Sequence, residues 1–266
     1  MYKLLVLDID DTLTVSGSRE IPSRNLEAIR RAQEAGIYVT VATGRGYLGS
    51  SYIWKQMGIE GPVINYGGAI IMDTRTDRPI YTTQIPGEMV QDILSLAANR
   101  KMHVHLYQGD AVVYEKPSQY SEAYVSRLGL PHWADPAIRD KQWQDVPKIL
   151  IITEDEKAKE LIPVLQKKYA GKLKISGSSA GYIEFNHVSA HKGSAAAILA
   201  EQLGISPAQT VAVGDNSLDM EMIQWAGLGC AVGNAQPDIL AAADLVLPTC
   251  GDMAVAHLID TVLLKG

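Results

Sequence analysis

Short, unbroken apolar runs, each closed by polar or glycine-rich positions, recur in the first and last thirds of the chain. Residues 3–7 run Lys-Leu-Leu-Val-Leu into Asp8, residues 37–42 run into Thr43, residues 62–65 end on Asn65, and residues 210–213 run into Gly214. Continuous rather than alternating hydrophobicity is the pattern of strands buried on both faces, as in a parallel sheet. Between the first two runs, Leu26, Ile29 and Ala32 recur at helical spacing and stop at Gly36, with Ser23 or Asn25 placed to cap the start. That is a β-α-β unit. Residues 47–57 read as a further helix, and residues 69–72 with 80–83 as a hairpin around the polar turn 73–78.

The middle of the chain carries its own pattern. Residues 90–98, 121–128 and 157–169 predict helices, and residues 104–107, 111–114, 148–153, 172–175 and 182–185 predict strands. The organisation expected is an α/β, Rossmann-like parallel-sheet core over residues 1–83 and 189–266, interrupted by an inserted α+β domain over residues 84–188. Pro86-Gly87 and residues 186–190 are the natural hinges. Tyr107, Tyr114, Trp133 and Trp143 are expected in the core of the inserted domain rather than as a ligand platform. A helix is predicted from Lys192 through Leu203.

Composition narrows the function. At 266 residues and 47% hydrophobic content the chain can bury two cores of ordinary size. Its net charge of −6 and lack of a basic stripe disfavour nucleic acid as a partner but leave a small anionic metabolite open. The two cysteines, Cys230 and Cys250, lie in or beside apolar segments and read as buried thiols, and their low number suits a reducing compartment. The first apolar run stops at Asp8, and no stretch of membrane-spanning length follows, so a cytoplasmic protein with no membrane partner is expected. Monomer and dimer both stay open.

Chemistry gathers where the apolar runs end. Asp8 and Asp10, two apart, point the same way from an extended chain and repel unless a proton or a cation lies between them. A hard divalent cation binding through carboxylates and substrate phosphate would relieve them; an Asx-turn or a helix cap would use the same residues. Thr43-Gly44-Arg45-Gly46 offers a hydroxyl and close-approaching backbone N–H groups to an anion, or forms an ordinary glycine-rich turn. Lys192 could serve as a point charge for phosphate or remain solvated. Asp215 and Asp219 share one face at a helix start, needing a cation or a Lys, or standing as surface acids favoured by the helix dipole.

In this order, Asp8-Ile9-Asp10-Asp11-Thr12, Thr43-Gly44-Arg45, Lys192 and Gly214-Asp215 through Asp219 resemble the four signature motifs of the haloacid-dehalogenase superfamily of phosphohydrolases. Asn65-Tyr66-Gly67-Gly68-Ala69, Glu184-Phe185 and Val232-Gly233-Asn234-Ala235 are similar to features of its Cof-type branch, in which a large cap is inserted between the second and third motifs. The resemblance covers essentially the whole chain. It implies an Mg²⁺-dependent phosphatase in which Asp8 attacks phosphorus to form an aspartyl-phosphate and Asp10 serves as acid and then base. It implies Mg²⁺ ligation by the Asp8 carboxylate, the Asp10 main-chain carbonyl and Asp215, and phosphate contacts from Thr43, Gly44 and Lys192. Asp219 would orient Lys192 or a metal-bound water, and Asn216 could support the metal. Arg45 and Asn65 stand where they could touch phosphate or substrate, and equally where a surface Arg or a turn Asn would stand. The implied cap closes over the site and chooses the leaving group.

The implied substrate is a small phosphorylated metabolite, with sugar phosphates first and nucleotide or cofactor phosphates next. Two positions depart from the family pattern: Asp11 stands where Gly is usual, and Leu218 where Asn is common. Leu has no group for a metal or a phosphate, so a looser shell is expected there. Two alternatives use the same motifs, a phosphotransferase or phosphomutase on sugar phosphates and a catalytically weak ligand-binding regulator.

Overall fold

The computed structural model describes residues 1–15, 17–177 and 179–265; Gly266, the expected end of the second core segment, lies outside the described residues. The chain opens with β1 (Leu4–Leu7), every residue of which is buried. Next come α1 (Ser23–Glu34), β2 (Tyr38–Val41), α2 (Tyr47–Gln56), β3 (Pro62–Asn65), β4 (Ile70–Asp73) and β5 (Arg78–Thr82). The middle segment holds α3 (Gly87–Asn99), β6 (His103–Gln108), β7 (Ala111–Tyr114) and α4 (Gln119–Leu128). It continues through β8 (His132–Ala134), β9 (Ile149–Ile152), α5 (Asp155–Lys168), β10 (Leu173–Ser176) and β11 (Tyr182–His187). The last segment contributes α6 (Lys192–Gln202), β12 (Thr210–Gly214), α7 (Met220–Trp225), β13 (Leu228–Ala231), α8 (Pro237–Ala242) and β14 (Leu245–Val246). Among the described residues no helix is long and apolar enough to cross a membrane.

The chain divides into two compact units. The first comprises Met1–Arg45, Ser50–Tyr81 and His191–Gly266, and the second Thr82–Ala190 with Gly46–Gly49. In the first unit the strand order is β14-β13-β12-β1-β2 and each pair is parallel. β1 and β12 are buried throughout, and α6 packs on the sheet there; Ala195, Ala196 and Leu199 of α6 join Leu4, Val6 and Ala212 in one cluster. Each fully buried Leu or Val contributes roughly 1.5–3 kcal/mol.

The strand order reverses at β1. The chain leaves β1 for β2 on one side and returns as β12 on the other, which makes a topological switch point beyond the carboxyl ends of these strands. A bridge from Ala42 to Ile64 carries β3 alongside the end of β2, and β3 pairs with β4 in a second, three-stranded sheet completed by β5.

The second unit is an α+β domain around the order β10-β11-β9-β6-β7-β8. One face of its sheet packs Val104, Leu106, Ile149, Ile151, Ile183 and Phe185 against α3 and α5. Among the alternate positions Lys148 and Glu184 form a buried ion pair at 2.7 Å, which gives the Glu184 of the sequence motif its local partner.

Two expectations need correction. Trp133 is 43% exposed, although Tyr107, Tyr114 and Trp143 are buried; it lies on β8, a three-residue edge strand paired in parallel with β7 whose exposed positions carry no apolar pattern to announce it. Neither Ser23 nor Asn25 caps α1, whose preceding residue is Pro22. Asn25 is instead buried and accepts the Ala256 N–H at 3.0 Å, which ties α1 to a short helix over Ala254–Leu258.

Candidate active site

The registers Leu7↔Val213 and Leu7↔Val41 align the ends of β1, β12 and β2, so the residues that follow them come to one edge of the first unit's sheet. Asp8 follows β1, Thr43 follows β2 after Ala42, and Asp215 follows β12. The Asp8 N–H is itself held by the Val213 carbonyl at 3.0 Å. Lys192 reaches the same place from the first turn of α6. That helix is capped by His191, whose Nδ1 accepts the Ser194 N–H at 3.1 Å.

A lysine at a helix N-terminus opposes the macrodipole, and a buried one has lost its water as well. Lys192 is 1% exposed, and two carboxylates compensate it. Its ammonium donates to Asp8 Oδ1 and, at 2.6 Å, to Asp219 Oδ1. Burial opposes the Lys192 charge, but Asp219 and Asp8 outweigh it and hold its pKa above the ordinary lysine value. The other oxygen of Asp219 accepts the backbone N–H groups of Asp215 (3.1 Å) and Asn216 (3.2 Å). Both oxygens of Asp219 are therefore engaged by the protein.

Asp8 and Asp215 differ from Asp219 in this. Asp8 Oδ2 is buried and has no hydrogen-bond partner among the described residues. Burial first, then repulsion from Asp219, hold the Asp8 carboxyl well above its usual range despite Lys192. Burial and Asp219 likewise push Asp215 up to about 6, against the lowering effects of Lys192 and of a hydrogen bond from Thr12. Thr12 Oγ1 donates to Asp215 Oδ1 at 3.2 Å, and Asn216 Nδ2 donates to the same oxygen at 3.0 Å. Asp8, Asp215 and Asp219 each offer an oxygen within 4.8 Å of the others. An orphaned buried oxygen beside a second crowded carboxylate is the environment a hard divalent cation relieves, so the donor set fits one.

The remaining predicted residues fall around this cluster. Thr43 is buried, and its Oγ1 accepts the Arg45 N–H at 3.2 Å. Arg45 grips Asp10 with two parallel bonds, Nε to Oδ2 at 2.8 Å and Nη2 to Oδ1 at 2.5 Å, while Nη1 donates to the Tyr52 hydroxyl. Asp10 is half-exposed and lies outside the Lys192 cluster. Asn65 is buried with Nδ2 on Ser50 Oγ at 3.0 Å and on the Arg45 carbonyl, so in this structure it fastens the motif-two loop to α2. Leu218 is half-buried; its N–H is taken by Asn216 Oδ1, and its Cδ1 lies 3.9 Å from where a side chain at Gly44 would begin. Asp11 has φ 59°, the left-handed conformation that explains the usual preference for Gly at that position.

Thr12, Gly214, Tyr52 and Asn234 belong to this assembly but carried no role in the sequence reading. At Gly214 a Cβ would stand 2.4 Å from the Asp219 side chain, so only glycine lets that carboxylate fold back over the loop. Thr12 and Gly214 sit inside quoted motifs, where adjacency to Asp was an available signal. Tyr52 had none, since its role depends on where Arg45 points.

The sequence profile of the family described as haloacid dehalogenase-like hydrolase matches residues 5–259. The chain is 30% identical to the phosphatase YwpJ of Bacillus subtilis over 98% of this chain and 100% of that protein. It is 28% identical to an HMP-PP phosphatase of Serratia proteamaculans over 97% of this chain and 94% of that one. Among solved structures, a haloacid dehalogenase-like hydrolase from Bacteroides thetaiotaomicron superimposes with a TM-score of 0.87 at 28% identity, covering 98% of this chain and all of the other.

Proposed function

The chain belongs to the haloacid dehalogenase-like hydrolases, and from that premise we propose that it is a divalent-metal-dependent phosphatase that hydrolyses a small phosphorylated metabolite, a sugar phosphate first, through an aspartyl-phosphate on Asp8. The observation that carries this reading is the buried Asp8 carboxylate at the switch point of the sheet, one oxygen held by Lys192 and the other without a partner among the described residues. A nucleophile needs one oxygen oriented and one free to attack, and the two ends of the Asp8 carboxylate have those two environments.

Asp8 Oδ2 attacks phosphorus and the ester oxygen leaves with a proton from Asp10; Asp10 then takes the proton of the water that cleaves the acyl phosphate. Arg45, itself held by Tyr52, grips both Asp10 oxygens in this structure and so orients the side chain; one of those oxygens must come free for Asp10 to carry the proton. Lys192 and the Thr43 hydroxyl stabilise the charge on the phosphoryl oxygens, together with backbone N–H groups at Gly44. Asp8 through Oδ1, Asp215 and the Asp10 main-chain carbonyl would hold Mg²⁺, whose charge would let the Oδ2 end approach an anion. Asp219 keeps Lys192 pointed at Asp8 and orders the loop bearing Asp215.

We assign the choice of leaving group to the inserted unit. The free, buried thiols of Cys230 and Cys250 support a reducing, cytoplasmic setting. Phosphate release from sugar, nucleotide and cofactor phosphates and HMP-PP, with Mg²⁺ and with EDTA, tests the reading against Asp8→Asn as the blank. Metal-dependent release that disappears in the variant is expected. Release that survives in EDTA or in Asp8→Asn would overturn it.

A further inference from the structure

We propose that Asn234 is a positioning residue for the metal site: it anchors the Asp11 carbonyl and so holds the left-handed turn at Asp11 that aims the Asp10 carbonyl. The inference rests on the metal-dependent reading above and adds a residue that has no contact with substrate in that reading.

Asn234 uses both ends of its carboxamide. Nδ2 donates to the Asp11 carbonyl at 2.8 Å, and Oδ1 accepts the Cys250 N–H at 2.8 Å. The job needs one donor and one acceptor in a fixed plane on a short stem, which among the side chains is asparagine's own combination. The segment around it grips the second acidic loop as well. The Gln236 N–H donates to the Asp215 carbonyl at 2.8 Å, and the Val232 N–H to the Gly214 carbonyl at 3.2 Å. One loop thus braces the backbone beside both proposed metal-binding acids.

The brace matters because of what it holds. Asp11 stands at φ 59°, a left-handed conformation that is sterically less favourable for a residue with a Cβ than for glycine. The Asn234 contact opposes that cost by anchoring the Asp11 carbonyl. The Asp10 carbonyl and the Asp11 N–H share one rigid peptide plane. With the Asp11 carbonyl fixed by Asn234, the φ of Asp11 sets where the Asp10 carbonyl points. In a chain with Gly at position 11 the conformation would come without that cost, and here Asn234 offsets it.

The test is a Mg²⁺ titration of the full-length protein read by the rise in its thermal unfolding midpoint, with Asn234→Ala and with Asn234→Ala combined with Asp11→Gly. Asn234→Ala should need about tenfold more Mg²⁺ for half the rise, measured from its own midpoint in EDTA, as loss of a ligand-orienting contact commonly does. Asp11→Gly in that background should recover part of the affinity, because glycine takes the positive φ unaided. Mg²⁺ requirements within twofold of wild type in Asn234→Ala would overturn the proposal, as would a double variant no better than the single one. A wild-type protein whose midpoint does not respond to Mg²⁺ would instead remove the metal reading on which the proposal stands.

Discussion

Lys192→Met is the sharpest probe of the charge balance in the buried cluster. The substitution keeps the length and apolar stem of the side chain but removes the cation from between Asp8 and Asp219, leaving carboxylates with oxygens within 4.8 Å of one another. Two hydrogen bonds to charged groups are lost, at about 1.5–3 kcal/mol each, and removing one partner of a buried ion pair costs about 3–5 kcal/mol. A loss of roughly 3–5 kcal/mol is expected in EDTA at pH 8, a large share of the 5–15 kcal/mol typical of a folded domain.

The sign with pH follows from the raised carboxyl groups. Asp8 is held above its usual value of 3.8 and Asp215 at about 6. Such groups favour the folded state most below 3.8, and that contribution is lost as pH rises through the folded-state value. At pH 5 Asp215 is largely neutral and the missing lysine matters less; at pH 8 Asp215 is charged and lacks the compensation that the lysine supplied. Urea unfolding of wild type and variant in EDTA at both pH values measures this. A destabilisation below about 1 kcal/mol at pH 8, or an equal one at pH 5, would refute the reasoning.

Asp8→Asn should abolish phosphate release while its unfolding midpoint at pH 8 in EDTA stays at or above that of wild type, since the buried cluster loses a charge; turnover within tenfold of wild type removes Asp8 as nucleophile. Arg45→Lys should lower kcat by about 10- to 100-fold, with KM nearly kept, because lysine cannot make the bidentate grip on Asp10; a raised KM with normal kcat would place Arg45 on the substrate instead. Leu218→Asn should lower the Mg²⁺ concentration for half-maximal activity, and an unchanged titration means that another group already serves there. Gly68→Ala should be far more damaging to stability than Gly67→Ala, because its Cβ would meet the His191 carbonyl at 2.3 Å while that of Gly67 meets nothing within 4 Å; calorimetry of the pair decides, and equal losses would refute the packing argument.

Much of the fold is written locally. The apolar runs at residues 3–7, 37–42, 62–65 and 210–213 became β1, β2, β3 and β12 because strands buried on both faces must be continuously apolar. Most helices of both units lie within a few residues of their periodic patterns, since period and burial impose the same stripe. Through the middle segment the motifs fall silent while strand and helix patterns continue. Local pattern failed where a short exposed edge strand carries no alternation, as at β8, and where a polar residue that looks like a cap is recruited from afar, as Asn25 is by Ala256.

The chemistry divides in the same way. By itself the sequence determined that Asp8, Thr43, Asp215 and Lys192 stand at the ends of strands or the start of a helix, because each is joined covalently to the element that carries it. Only the tertiary structure decided their partners. β12 lies beside β1 although Asp8 and Asp215 are separated by most of the chain, and from that adjacency come the Lys192 bridge, the unpartnered Asp8 oxygen and the raised carboxyl groups. The same holds for Arg45, whose fork falls on Asp10, for Asn65, whose amide turns inward to Ser50, and for Asn234, which links Asp11 to Cys250. Side-chain hydrogen bonds and charge interactions act over a few ångströms in space with no regard for separation along the chain, so their partners exist only once the sheet has been ordered.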